Sequence, residues 1–219
     1  MEVNQKGGKA FSYLEVKLKP GESIVTEPGA MASMEPGINL RTKINGSIFR
    51  ALMLKYLGSE SIFINRFSNE SNRESTLVLT QSTPGEIQQA TLSNEALYIQ
   101  PGAFLACTPG IDFSLRWAGF TSWIVGEGLF NLKIHGTGTC WYGAFGGVIE
   151  KRVAGSYVVD NGHLLSYPPT MKLRLQLSGG LFGSFFGGEG FVVRLEGTGT
   201  IKLQTRSLGG LAGWLNSKF

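Results

Sequence analysis

The sequence predicts an all-β protein built from three tandem copies of one antiparallel module, and three observations predict it. A unit reading GEGLFNLKIHGTGT from Gly126 to Thr139 returns as GEGFVVRLEGTGT from Gly188 to Thr200. A worn third copy, Gly58-Ser59-Glu60-Ser61-Ile62-Phe63-Ile64-Asn65, keeps the glycine, the acid and the apolar strand start. Glycine is abundant, at 31 of 219 residues, as many tight turns require. Short alternating runs punctuated by Pro-Gly about every ten residues are the pattern of a sandwich or barrel. Self-similarity at a fixed period decides architecture before any motif does. The equivalent glutamates Glu60, Glu127 and Glu189 keep that period, so the modules fall at residues 1–87, 88–152 and 153–219.

The elements follow in order. Leu14, Val16 and Leu18 alternate with charges between Phe11 and Lys19, giving a half-exposed strand that Pro20-Gly21 turns. Ser23 to Thr26 is the next strand, ended by Glu27-Pro28-Gly29-Ala30-Met31. After Glu35-Pro36-Gly37, alternation resumes from Ile38 to Ile44. Ile48, Leu52 and Tyr56 recur at helical spacing, so Ile48 to Leu57 reads as a short helix or a long apolar hairpin tip. Strand signal returns at Ser61 to Ile64, the polar run Ser68 to Ser75 reads as a turn, and Leu77 to Leu79 is the return strand.

In the second module Pro101-Gly102-Ala103 answers Pro28-Gly29-Ala30, and Thr108-Pro109-Gly110-Ile111 answers Glu35-Pro36-Gly37-Ile38. Ile111, Phe113, Leu115 and Trp117 then alternate into a tip. In the third, Asp160-Asn161-Gly162-His163-Leu164 and Tyr167-Pro168-Pro169 replace the two turns, and Met171 to Leu177 alternates into a glycine-rich tip. The two best copies differ by one residue near Leu129, a β-bulge. The chain closes on a short helix at the C-terminus, with Leu208, Leu211 and Leu215 expected inward.

Composition narrows the function classes. Charged residues are only 16%, which favours a protein that buries part of its outside against copies of itself. The net charge of +4 is spread without a basic stripe, so dedicated nucleic-acid binding is the lesser expectation. Cys107 and Cys140 have no metal spacing and read as buried thiols. No apolar signal core opens the chain, and the longest uncharged stretch near the third tip is too short to span a bilayer. A cytoplasmic protein is expected, free of cofactors and metal.

Candidate chemistry is thin. The Gly-Thr-Gly-Thr runs open no helix and precede no Lys-Ser/Thr pair, so they read as strand corners rather than phosphate loops. Catalysis would need a histidine beside a nucleophile and an orienting group. Asp160 stands three residues before His163 and Cys140 five after His135, but neither spacing is diagnostic, and His163 reads as a turn histidine capping its own backbone. Glu60, Glu127 and Glu189 lie a module apart and read as repeated structural contacts. No enzyme is expected.

Gln100-Pro101-Gly102-Ala103-Phe104-Leu105-Ala106, the GEGLF unit with its GTGT corner, Asp160-Asn161-Gly162-His163-Leu164, and Leu203-Gln204-Thr205-Arg206 with Trp214-Leu215 occur in order over nearly the whole chain. In these motifs the sequence resembles the mitochondrial biogenesis family, the group of altered-inheritance-of-mitochondria protein twenty-four and its bacterial and archaeal relatives. The resemblance implies β-sandwich modules like those of the tryptophan RNA-binding attenuation protein, and a homotrimer in which nine modules close a ring. It implies no enzymatic activity.

The apolar tips are the most unusual feature. They comprise Phe49, Leu52 and Met53, then Phe120, Trp123 and Ile124, then Leu181, Phe182, Phe185 and Phe186. Each precedes the same strand of its module, so all three should project from one side. They either pack into the trimer contact or form an exposed rim that docks on a bilayer surface or a partner protein. Arg50, Lys55 and Arg116 stand near them to meet anionic head groups. A scaffold with such a rim is the leading expectation. A ring that binds nucleic acid or a small ligand, with Trp141 or Tyr142 in its groove, is the alternative.

Overall fold

The computed structural model describes residues 1–44, 63–117, 130–177 and 191–218. The three apolar tips, Glu60, Glu127 and Glu189, the Ile48 to Leu57 stretch and the bulge at Leu129 lie outside the described residues. What is described is antiparallel β-structure, plus one 3₁₀ turn and one helix near the C-terminus. The all-β class is therefore as the sequence predicts. By internal contacts the chain divides into two compact units.

Unit one comprises Met1–Asn94, Phe104–Asp112 and Gly136–Gly143. A four-stranded sheet runs in the order β1 (Glu2–Lys6), β2 (Tyr13–Leu18), β7 (Ser75–Thr80), β4 (Met31–Met34). In β2 Leu14, Val16 and Leu18 are fully buried and the residues between them half-buried, because successive side chains leave a strand on opposite faces. Leu77 and Leu79 continue that face in β7. Opposite stand β5 (Ile38–Ile44), β6 (Phe63–Asn69), β3 (Ser23–Thr26) and β9 (Phe104–Cys107). Ile24, Ile38, Phe67, Leu105 and Ala106 from these strands enter the same core cluster as the leucines of β2 and β7, so unit one is a sandwich of two sheets.

Two readings of unit one are corrected. The polar run from Ser68 to Ser75 is not all turn: β6 runs through Asn69 and β7 starts at Ser75. Asn69 is buried, its side-chain amide donating to Leu18 O and Arg73 O at 2.7 Å each while its Oδ1 accepts from Ser71 N–H. Its polarity serves the turn from inside the fold rather than solvent. The N-terminal residues, given no element in the sequence reading, form edge strand β1, from which Val3 packs on the core.

Unit two comprises Glu95–Ala103, Phe113–His135 and Ala144–Phe219. Its centre is β15 (Phe191–Gln204), paired along its length with β12 (Val148–Asp160). On its other side β15 pairs first with β14 (Met171–Leu177) and then with β13 (Leu164–Tyr167). Tyr98, near the end of β8 (Ile87–Ile99), stacks on Tyr167 with ring centroids 4.9 Å apart. Val153, Val159, Leu164, Met171, Val193, Leu195 and Ile201 complete the core.

The change of partner along β15 explains the glycines. Gly197 to Thr200 is not a corner between two strands: β15 continues through it, as β11 (Phe130–Gly143) continues through Gly136 to Thr139. The turn that joins β13 to β14 crosses here. A Cβ on Gly197 would sit 2.5 Å from Thr170 O, and Gly197 has φ +136°, a region glycine occupies freely. In unit one Gly136, at φ +122°, meets Gly110 O in the same manner. The repeated glycines are a close approach of backbones.

A candidate binding cleft at the C-terminal helix

The last residues of β15 feed a compact hydrogen-bonded junction. Gln204 is buried, and its side-chain oxygen accepts from Phe145 N–H at 2.9 Å while its amide donates to Gly162 O at 2.8 Å. Thr205 N–H donates to Gly147 O and Thr205 Oγ1 accepts from Gly147 N–H, at 3.0 and 2.9 Å. Arg206 N–H donates to Phe145 O at 3.2 Å. Asp160 caps the 3₁₀ turn Asn161–His163, its Oδ1 accepting from Gly162 N–H at 2.7 Å.

Helix α1 (Leu208–Asn216) leaves this junction. Its sequence is a poor helix former, since Gly209, Gly210 and Gly213 each cost about 1 kcal/mol against alanine. A nine-residue helix is marginal by itself. Ser207 starts it as N-cap, accepting from Gly210 N–H at 3.1 Å. The expectation that Leu208, Leu211 and Leu215 turn inward is overturned: no residue of α1 is buried, and these three are 61%, 42% and 41% exposed. The apolar residues lie on two adjacent faces. Ser207, Gly210, Leu211 and Trp214 share one by the i, i+3, i+4, i+7 spacing, and Leu208, Ala212 and Leu215 share the next.

The first of those faces walls a cleft of about 530 Å³. Phe145, His163, Thr205 and Arg206 line it together with that helix face. His163 does not cap its own turn, as the sequence suggested. Its Nδ1 lies 2.8 Å from Gln204 O, forty-one residues away. A carbonyl only accepts, so Nδ1 carries the proton and Nε2 is the ring's other polar atom. Arg206 is exposed and has no ion-pair partner among the described residues. Among the described residues no carboxylate lines the cleft.

The remaining candidates do not converge. Asp160 is committed to its cap, so it does not orient His163. His135 and Cys140 lie five residues apart in β11, about 17 Å at strand rise. His135 Nδ1 is enclosed and without a partner among the described residues. Cys107 and Cys140 face each other across β9 and β11, buried and unbridged. Among the described residues no three His, Cys, Asp or Glu side chains gather as a metal site would need. Trp141 and Tyr142, proposed from sequence as groove aromatics, are core residues, and Trp141 Nε1 donates to Gln89 at 3.2 Å. Rings in the core cannot stack on bases, so the nucleic-acid reading loses its aromatics.

The cleft itself was missed in sequence. Its residues come from three separated stretches; His163, Thr205, Arg206 and Trp214 stand in the motifs that carried the family resemblance, but nothing in those motifs shows that they meet.

Fold and cleft together define an all-β antiparallel protein with an exposed apolar helix at its end. Within that class the chain belongs to the mitochondrial biogenesis family AIM24, whose model matches residues 4–206. An uncharacterized protein of Streptococcus pyogenes serotype M6 is 26% identical over 214 residues, covering 94% of this chain and 86% of the relative. A crystal structure of a Streptococcus pyogenes protein, determined as a structural-genomics target, superposes with a TM-score of 0.81 at 26% identity. The superposition covers 100% of this chain and 99% of that one. Helix α1 follows the last residue that the family model matches. Among the described residues no helix is long and apolar enough to cross a membrane.

Proposed function

We propose that this protein is a non-enzymatic cytoplasmic scaffold, assembled as a trimer, that docks on an anionic membrane surface through apolar side chains. One observation carries the docking: Leu208, Ala212 and Leu215 form an apolar helix face that is exposed among the described residues. The charge around it selects the surface. Arg206 and Lys218 flank α1 in sequence with no acidic side chain between them, which suits anionic head groups. Leucine with tryptophan beside it is the composition of helices that lie in the bilayer interface. The tips around Phe49, Trp123 and Phe185 are the second contact in this proposal, adding apolar area of the same kind.

The proposal extends to architecture. Three tandem modules, closing as nine around a trimer in the manner of the attenuation-protein fold, are supported by recurring element lengths. Four-residue strands β4, β9 and β13 are each followed after a turn by a seven-residue strand, β5, then β10 (Ile111–Trp117), then β14.

Co-sedimentation with vesicles of phosphatidylcholine and phosphatidylserine tests the docking. Wild type is expected in the pellet, Leu208→Asp/Leu215→Asp mostly in the supernatant, and Trp123→Asp/Phe185→Asp reduced. Wild type left in the supernatant would remove the membrane reading and leave a protein partner as the occupant. Because Leu208 and Leu215 are exposed, the Leu208→Asp/Leu215→Asp variant keeps the wild-type circular dichroism.

A further inference from the structure

We propose that the cleft beneath α1 binds a small amphipathic carboxylate, an acid carrying a medium-length apolar chain or ring. The inference shares Arg206 and Trp214 with the docking proposal, whose apolar contact is the neighbouring face of the helix, Leu208, Ala212 and Leu215. Its volume, about 530 Å³, falls within the range of small-molecule sites. The walls divide by chemistry. Phe145, Leu211 and Trp214 offer an apolar bed, and Trp214, 59% exposed in the chain alone, loses water when that bed is filled.

The polar side is made almost entirely of donors. Arg206 brings a guanidinium with five N–H groups and no acceptor, unpaired with any acid among the described residues. Ser207 and Thr205 each use the hydroxyl oxygen to accept from a backbone N–H, of Gly210 and Gly147 respectively, so each hydroxyl proton remains to be donated. His163 has its Nδ1–H spent on Gln204 O, which holds the ring in place at the cleft wall and leaves Nε2 as the acceptor among these donors. A lining rich in donors, and among the described residues without a carboxylate, selects a ligand made largely of acceptors, and the planar guanidinium matches a carboxylate as a two-point contact. The apolar bed then demands more than a bare anion.

The junction that forms the site is built before any ligand arrives. Gln204 ties Phe145 to Gly162, and Gly162 is held so near Ser207 that an added Cβ would lie 2.9 Å from the serine Cβ. A preformed site spends little binding energy on ordering.

Equilibrium dialysis of the full chain against radiolabelled decanoate, below its micelle concentration and without vesicles, is the test. Decanol serves as the neutral match and acetate as the headgroup alone. One decanoate per chain is expected, with decanol at least tenfold weaker and acetate not measurably bound. Arg206→Gln should weaken decanoate at least tenfold and leave decanol unchanged, while Trp214→Ala should weaken both. Equal binding of decanoate and decanol, or indifference of decanoate to Arg206→Gln, would overturn the proposal, as would acetate binding as well as decanoate. Arg206 is exposed, so its substitution leaves the fold intact. Leu208→Asp/Leu215→Asp, which removes the docking face and no cleft residue, should bind decanoate as wild type does, and this keeps the result separate from the docking reading.

Discussion

Cys107 and Cys140 show how burial silences a reactive residue type. The thiolate is the nucleophile, and forming it inside an apolar sheet means placing a charge where water cannot reach. Desolvation accordingly pushes Cys107 up to about 12 from an ordinary 9.0; Arg66 pulls it down slightly and Asp112 adds to the rise. Cys140 is raised well above the ordinary value by the same desolvation, with Cys107 adding to it. Iodoacetamide at pH 8 should therefore modify neither residue in the native chain and both in guanidinium, by mass spectrometry. The same shift has a signed effect on stability. Between pH 9 and 12 the unfolded chain gives up thiol protons that the folded chain keeps, so the thiols' contribution is complete below pH 9 and declines as pH rises. Against a Cys107→Ala/Cys140→Ala variant, wild type should lose at most about 1.4 kcal/mol per pH unit for each thiol across that window. A pH-independent difference would mean that the thiols titrate as exposed ones do.

At the scale of elements, the junction at the end of β15 depends on one amide. Gln204→Ala would leave Phe145 N–H and Gly162 O without their partners in a partly enclosed place. A lost partner of this kind costs about 1–3 kcal/mol. Chemical denaturation should show a loss of about 2 kcal/mol, and a loss below 0.5 kcal/mol would mean water replaces the amide freely. Gln204 also marks the limit of what the sequence discloses. Period-two alternation located β2, β5, β10 and β14 to within two residues, because apolar and polar residues alternate in each and a turn residue stands at an end. Alternation says nothing where a strand changes partner. Hence β15 read as stopping at Gly197, although its glycines only make room for the turn at Thr170. It is equally silent on polar residues that work from inside, which is why Asn69 read as solvated turn. Helix α1 was legible as a helix from its leucine spacing, but the same spacing suggested burial, and only the coordinates show both apolar faces uncovered. The cleft needed Phe145, His163 and Arg206 brought together by long-range pairing, a relation that no local window contains.

At the scale of the whole molecule, surface economy is the remaining argument. The chain has 20 basic and 16 acidic side chains in 219 residues, 16% against the roughly 25% usual for a soluble domain. Isolated exposed apolar residues are ordinary. Here, however, Leu208, Leu211, Trp214 and Leu215 are exposed together on one short helix. A surface short of charge is stabilised by covering part of it with copies of the same chain, and closed cyclic symmetry covers every such patch equally. Sedimentation equilibrium at tens of micromolar should therefore give three times the 23.7 kDa chain mass. Association driven by apolar contact survives screening, whereas association through exposed ion pairs weakens when the Debye length falls to about 3 Å in 1 M salt. The trimer mass should thus persist from 0.15 M to 1 M NaCl. A monomer, or a trimer that dissociates in salt, would overturn the proposed ring and leave the docking of α1 to its own vesicle test.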